Sequence, residues 1–130
     1  ADAGGTDNGM PPGTRIGHVH LQVESIPAAE AFYVGGLGFE PTVRTYPGAL
    51  FVSAGGYHHH LGLNTWAGPA AKPPPHGARG LRSFTIVLPD EAAREATLAA
   101  LAAAGLEMAE DGRTVSVTDP SGNRAVLASR

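Results

Sequence analysis

The order of predicted strands and helices runs twice along this chain, and that repeat limits the folds open to it. Residues 14–24 alternate apolar and polar side chains as in a half-buried strand, a short helix follows over 28–34, and three more strands reach Thr65. Residues 81–88 restart the same order, with a helix over 90–104 and three short strands behind it. A unit of about 55 residues buries too little surface to be stable alone, so we expect the two units to share one core.

The boundaries of the units follow from local composition. Residues 1–13 show no periodicity and are expected to be a flexible N-terminal arm. Residues 14–130 then form a single domain, with module one over 14–66, a linker over 67–80 and module two over 81–130. Three consecutive prolines in the linker exclude both helix and strand pairing there. The predicted fold is α+β, with tandem βαβββ modules forming a curved mixed sheet around a cup and the helices outside.

Composition excludes several functional classes. The 130 residues are 42% hydrophobic and carry a formal net charge of −3, without the basic-aromatic patch that binds nucleic acid. No apolar stretch approaches the ~18 residues of a membrane span, and no signal peptide is visible. The absence of cysteine excludes disulfides and thiol catalysis. We therefore expect a cytoplasmic protein with neither nucleic acid nor membrane as a partner.

Histidine is concentrated in two short segments of the sequence. Five of the six histidines lie in residues 17–21 and 57–66, both of which have the pattern of a strand. Imidazole is the side chain most used for metal ligation and for proton transfer near neutral pH. The two segments together are therefore a candidate functional site.

Strand phase decides which of these side chains enter the predicted cup. The alternation in the first strand points His18 and His20 into it. If Leu61 and Leu63 pack under the helix, His59 turns toward the core and its two neighbours turn into the cup, whereas a bulge would reverse this assignment. Which of His58, His59 and His60 faces the cup stays open at this stage. The side chains expected to contact a ligand are His18, His20, His58, His60, Asn64, Trp66, Ser83 and Val126.

Several motifs in the chain match one known group of proteins. They are Gly17-His18-Val19-His20-Leu21, Ala31-Phe32-Tyr33 ahead of Leu37-Gly38-Phe39, Asp119-Pro120-Ser121-Gly122-Asn123, and the segment from Tyr57 to Trp66 ahead of the proline-rich loop. With these motifs, residues 15–129 resemble the vicinal oxygen chelate superfamily of glyoxalase I, extradiol dioxygenases and bleomycin-type resistance proteins. The histidine-rich segment resembles the catechol-2,3-dioxygenase-like branch.

The resemblance implies a metal triad that this sequence does not complete. Enzymes of the superfamily that resemble this chain bind a divalent metal with two histidines and one carboxylate, a set that leaves positions open for substrate. His18 matches the first ligand, but Ser83 and Val126 stand at the positions of the other two. No cofactor is therefore expected by the usual triad. Three imidazoles can still bind zinc, so a rearranged site for Fe, Mn or Zn stays open.

Two functions compete on this basis. The first is a metal-free binding protein that holds an aromatic or polyketide-like natural product in its cup, with self-resistance by sequestration as the superfamily precedent. The alternative is an enzyme of dioxygenase, lyase or isomerase type, with a rearranged metal site or with His58 and His60 as acid and base. A homodimer is also expected, because single-domain relatives pair to cover their sheet edges. Whether one chain or two build each cup stays open.

Overall fold

The computed structural model describes residues 11–12, 17–68, 77, 80–112 and 114–130. Most of the predicted N-terminal arm and most of the proline-rich linker lie outside these residues. The flexibility expected of the arm therefore stays a prediction. Within the described part of the chain, no helix is long and apolar enough to cross a membrane.

Module one contains four strands and one helical segment. Its elements are β1 (Val19–Gln22), α1 (Ile26–Glu30) continued by a π-helical turn (Ala31–Gly36), β2 (Glu40–Val43), β3 (Ala49–Ser53) and β4 (Leu61–Asn64). The sheet order is β1-β4-β3-β2, with β1 and β4 parallel and the other pairs antiparallel.

Module two repeats this arrangement. Its elements are β5 (Phe84–Leu88), α2 (Glu91–Ala103), β6 (Ala109–Asp111), β7 (Thr114–Thr118) and β8 (Arg124–Ser129). The sheet order is β5-β8-β7-β6, again with the first pair parallel. The predicted tandem βαβββ order and the α+β class are thus confirmed, as two four-stranded mixed sheets.

The first helix differs from its predicted form. Ser25 caps its N-terminus by accepting a hydrogen bond from the backbone N–H of Ala28, and α-helical geometry ends at Glu30 rather than at residue 34. From there the backbone widens, and the N–H of Leu37 bonds the carbonyl of Phe32, five residues earlier. This wider turn buries the consecutive side chains Phe32 and Tyr33 together.

One apolar core joins the two modules. It contains residues of both sheets and both helices, which are Leu21, Val23, Ala29, Phe32, Tyr33, Leu50, Val52, Leu61, Leu63, Leu101, Val117, Ala125 and Leu127. The strand residues among them follow the predicted alternation, with every second side chain facing the helices. The opposite face of the first sheet carries the alternate residues, among them His20, Gly62 and Phe51.

The fourth strand begins later than the sequence pattern predicts. The pattern starts it at Tyr57, whereas β4 starts at Leu61. Gly55 and Gly56, both with positive φ, form a turn, and residues 57–60 after it lie outside any regular strand. The chain rejoins the sheet at His60, whose N–H donates to the carbonyl of Val52. The side chains of residues 57–60 therefore need not alternate between the two faces of the sheet.

Candidate functional site

Three histidines of module one converge on one face of its sheet. The ring of His18, just ahead of β1, lies 5.0 Å from that of His20 and 4.4 Å from that of His59, measured between centroids. One ring nitrogen from each of the three residues lies within 4.8 Å of the others. Among the described residues this is the one group of three or more histidine, cysteine or acidic side chains spaced to hold a metal ion.

A glycine makes room for this cluster. Gly62 in β4 is paired with His20 in β1 and with Phe51 in β3, so all three lie on the same face of the sheet. A Cβ at residue 62 would lie 3.1 Å from the His20 ring and 3.1 Å from the Phe51 ring. The imidazole of His20 therefore occupies space that any side chain on Gly62 would fill.

His59 lies on the face of the sheet that carries His20 and Phe51, and not with Leu61 and Leu63, which was one of the two arrangements that the sequence left open. Its ring is 4.8 Å from Phe51 and 5.8 Å from His20. The physical reason is the turn described above, because residues outside the ladder do not alternate between faces. No sequence pattern distinguishes His59 from its two neighbours, since a turn in place of a strand is a product of the tertiary structure.

The environment of His59 favours its neutral form. Burial is the largest effect that lowers the pKa of His59, and the neighbouring imidazoles of His18, His58, His20 and His60 lower this pKa further. Its Nε2 atom is buried and has no hydrogen-bond partner among the described residues. Its Nδ1 atom lies 3.1 Å from Nδ1 of His58. This leaves Nε2 as the nitrogen without a bond.

The two neighbours of His59 are held by other contacts. His58 is exposed, and its ring centroid is 4.0 Å from that of Tyr57 and 6.2 Å from that of His18. The ring of His60 stacks on Tyr57 at 4.7 Å, and its Nδ1 accepts a hydrogen bond from the backbone N–H of Ala54. A neutral imidazole that accepts at Nδ1 carries its proton on Nε2, so His60 is a hydrogen-bond donor.

Asn64 and Trp66 lie at the far end of β4. Asn64 is buried, and its Oδ1 accepts a hydrogen bond from the backbone N–H of Trp66, which gives it a structural contact at the strand end. Trp66 is 57% exposed, donates from Nε1 to the carbonyl of Pro47, and lies 6.0 Å from the Tyr46 ring. Tyr46 in turn lies 6.2 Å from Phe51. These rings form an aromatic row that extends from the histidine cluster.

A cavity of about 510 Å³ lies where β1 of module one faces β5 of module two. His18 and His60 contribute from one side and Ser83 from the other, and most of the remaining lining is apolar. Val126 lies beside this space: it is paired with Thr85, a lining residue, but does not itself belong to the lining. The structure thus brings residues 18 and 83 to one cavity, with Val126 next to it.

The residues at the triad positions implied by the resemblance do not fit a metal. Ser83 is half-buried and offers one hydroxyl, and Val126 offers no ligand atom. The ligand-bearing group is instead the set His18, His20 and His59, which lies entirely in module one. Of the three triad positions, only His18 carries a ligand atom for a metal, and His18 also belongs to this set.

Known proteins with similar sequences include a family with this fold and a relative that is named as an enzyme. Residues 15–127 match the sequence model of the Glyoxalase/Bleomycin resistance protein/Dioxygenase superfamily. Over 113 residues the chain is 46% identical to a protein named catechol-2,3-dioxygenase from Bacillus subtilis, a match that covers 85% of this chain and 39% of that protein. The chain thus spans about two fifths of the length of that relative.

Solved structures with low sequence identity share the architecture. A lactoylglutathione lyase from Agrobacterium tumefaciens superimposes with a TM-score of 0.68 at 23% identity, covering 92% of this chain and 96% of that one. A superfamily protein from Alicyclobacillus acidocaldarius gives a TM-score of 0.67 at 17% identity, covering 92% and 94%. At these identities the match concerns the fold alone. The family match over residues 15–127, with which this shared fold agrees, shows that the chain belongs to the Glyoxalase/Bleomycin resistance protein/Dioxygenase superfamily.

Proposed function

We propose that the protein is an enzyme of this superfamily that acts on a small aromatic substrate of the catechol class. The observation that carries the proposal is the 46% identity to the catechol-2,3-dioxygenase of Bacillus subtilis.

The cavity between the modules supports a substrate of this kind. Its volume of about 510 Å³ falls within the ~300–1,000 Å³ range of small-molecule sites, and its lining is mostly apolar with a few polar groups. The polar side chains that line it are His18, His60, Ser83, Thr85 and Thr97. A flat apolar ring with oxygen substituents matches such a lining.

His60 is suited to orient the substrate. Because its Nδ1 accepts from Ala54, its Nε2–H is available to donate to a phenolic oxygen in the cavity. A divalent metal bound in the cup would supply the positive charge that holds two neighbouring substrate oxygens and the redox chemistry that dioxygen requires. The residues that would hold such an ion are His18, His20 and His59, whose ring nitrogens are already gathered.

Oxygen uptake tests this function directly. Protein loaded with Fe²⁺ is expected to consume dioxygen and catechol in equal amounts, because a dioxygenase places both oxygen atoms in one product. The variant His60→Asn keeps an acceptor for the Ala54 N–H but loses the Nε2–H donor, and is expected to lower kcat/KM at least tenfold. The proposal is contradicted if iron-loaded protein consumes no oxygen and catechol does not stabilise the protein against thermal unfolding.

Metal-free capture of an aromatic molecule is the second candidate. The observation that favours it is the serine and valine at residues 83 and 126, where the superfamily enzymes place metal ligands. It predicts that a catechol or a larger aromatic ligand stabilises chelator-treated protein, by ~2.7 kcal/mol at 100 times the dissociation constant. Such stabilisation without oxygen uptake after iron loading would favour capture over catalysis.

A further inference from the structure

We propose that His18, His20 and His59 form a three-imidazole site for a divalent first-row transition-metal ion, which would be redox-active iron in the working enzyme and for which Zn²⁺ is a redox-inert probe. The site would be the metal centre of the proposed enzyme, so its role in catalysis rests on the proposed function. The site differs from the one that the resemblance implies, since it uses no residue of module two and no carboxylate.

The ring nitrogens need to approach one another by up to about 1.4 Å to close the site. Zinc binds imidazole nitrogen at about 2.0–2.1 Å, so two ligand nitrogens of a tetrahedral site are about 3.4 Å apart. The three ring nitrogens lie within 4.8 Å of one another. His18 and His20 are exposed, and their rings can therefore turn toward an ion without disturbing the core.

The state of His59 fits a ligand better than a solvated side chain. Its buried Nε2 has no hydrogen-bond partner among the described residues, which is costly for a polar atom unless something binds it. Its other nitrogen lies 3.1 Å from Nδ1 of His58. Metal-binding histidines almost always use their second nitrogen in this way, because the outer bond fixes the ring and the tautomer.

The donor set indicates the class of ion. Neutral imidazoles suit zinc, copper, iron and nickel, whereas magnesium and calcium require oxygen ligands, which this cluster does not provide. Three protein ligands leave a fourth position open, as in catalytic zinc sites. His18 belongs both to the cluster and to the lining of the cavity, so an ion held here lies beside that space.

Zinc alone is the probe that tests the site. Untagged full-length protein, freed of metal with a chelator, is expected to bind one Zn²⁺ per chain by calorimetry, and Co²⁺ is expected to give the visible absorption of a four-coordinate ion. Each of the variants His18→Ala, His20→Ala and His59→Ala should weaken binding at least ~10-fold, the lower limit for losing even an outer-shell partner of a metal site.

His60→Asn is the matched control. It removes one imidazole from the same histidine run but none from the cluster, and is expected to leave the zinc dissociation constant within twofold. Circular dichroism and thermal unfolding without zinc show whether each variant is folded, and the rise in Tm on adding zinc gives a second measure of binding. The proposal is overturned if zinc does not bind, if the three alanine variants bind normally, or if His60→Asn loses as much affinity as they do.

Failure of this site and failure of the proposed function are separable. Zinc binding is measured without catechol, so a stoichiometric site in a protein that consumes no oxygen refutes the function and leaves the site standing. Oxygen uptake that persists in a folded His59→Ala variant leaves the function standing and refutes the site.

Discussion

At the scale of single residues, an absent side chain shapes the candidate site. Gly62 has an ordinary negative-φ backbone, so glycine is needed there for space and not for conformation. The space is taken by the rings of His20 and Phe51, each 3.1 Å from where a Cβ would stand. The position of the His20 imidazole therefore depends on a residue that offers no chemistry of its own.

The variant Gly62→Ala is expected to displace His20 without removing any ligand atom. The added methyl group is closer to the ring than ordinary packing allows, and the exposed His20 side chain is the group most free to move. We expect shifted imidazole NMR signals for His20 and a loss of zinc affinity of about tenfold.

Gly35→Ala is the control for this change. A Cβ on Gly35 meets nothing within 4 Å and its φ is not positive, so the imidazole signals and the zinc affinity should not change. Identical His20 signals in Gly62→Ala and in the parent protein would show that Gly62 does not determine the ring position.

At the scale of elements, side-chain caps set where the helices begin. Asp90 precedes α2, and its Oδ1 accepts a 2.7 Å hydrogen bond from the backbone N–H of Ala93. The negative charge also lies at the positive end of the helix dipole. The beginning of this helix is thus determined by a local contact that the sequence shows directly.

Asp90→Ala is expected to lower the free energy of unfolding by ~1 kcal/mol, because the cap at the first turn of α2 is lost. Urea denaturation followed by circular dichroism measures this difference. Asp90→Ser restores a side-chain acceptor at the same residue and should recover most of the loss. Equal destabilisation by alanine and serine would show that the carboxylate acts by something other than capping.

At the scale of the whole molecule, one turn of module two holds the two modules together. The carboxylate of Asp119, which is buried, accepts four hydrogen bonds from Tyr33, Ser121 and Asn123. From the same turn, Asn123 Nδ2 donates to the carbonyl of Gln22 and Ser121 Oγ accepts from the N–H of Glu24. The motif from Asp119 to Asn123 therefore joins the end of β1 to the start of β8.

Tyr33→Phe is expected to cost about 1.5–3 kcal/mol, the range for a hydrogen bond to a charged group. The Tyr33 hydroxyl donates to Asp119 Oδ2 at 2.8 Å, and burial, with a smaller contribution from Asp119, raises the Tyr33 pKa so that the hydroxyl keeps its proton. Urea denaturation measures the loss. Tyr46→Phe removes a hydroxyl from an exposed ring and should stay within ~0.5 kcal/mol. Equal stability of the Tyr33→Phe variant and the parent protein would contradict this account of the junction.

The assembly of the whole molecule stays a prediction. Leu81 and Val87, at 62% and 56% exposure, are large apolar residues on the β5 side of the cavity. Such residues are consistent with the expected homodimer, which light scattering in solution would test.

Much of the fold could be predicted because it depends on periodicity. Alternation in β1, β5 and β8 assigns Leu21, Ile86 and Leu127 to the helix side, and the structure packs all three in or against the shared core. The same rule failed at the histidine run, because it treats residues 57–60 as strand. Gly55 and Gly56, two consecutive glycines with positive φ, form a turn, and residues 57–60 follow this turn before β4 begins.

By itself, the sequence determined the tandem architecture and the serine and valine at residues 83 and 126, because each of these depends on residue identity or on local spacing. The tertiary structure decided which histidine joins His18 and His20. His59 reaches them only because a turn lies where a strand was predicted, because the Phe51 ring packs against it, and because Gly62 leaves the His20 ring its space. These contacts join segments about forty residues apart, and no local pattern encodes them.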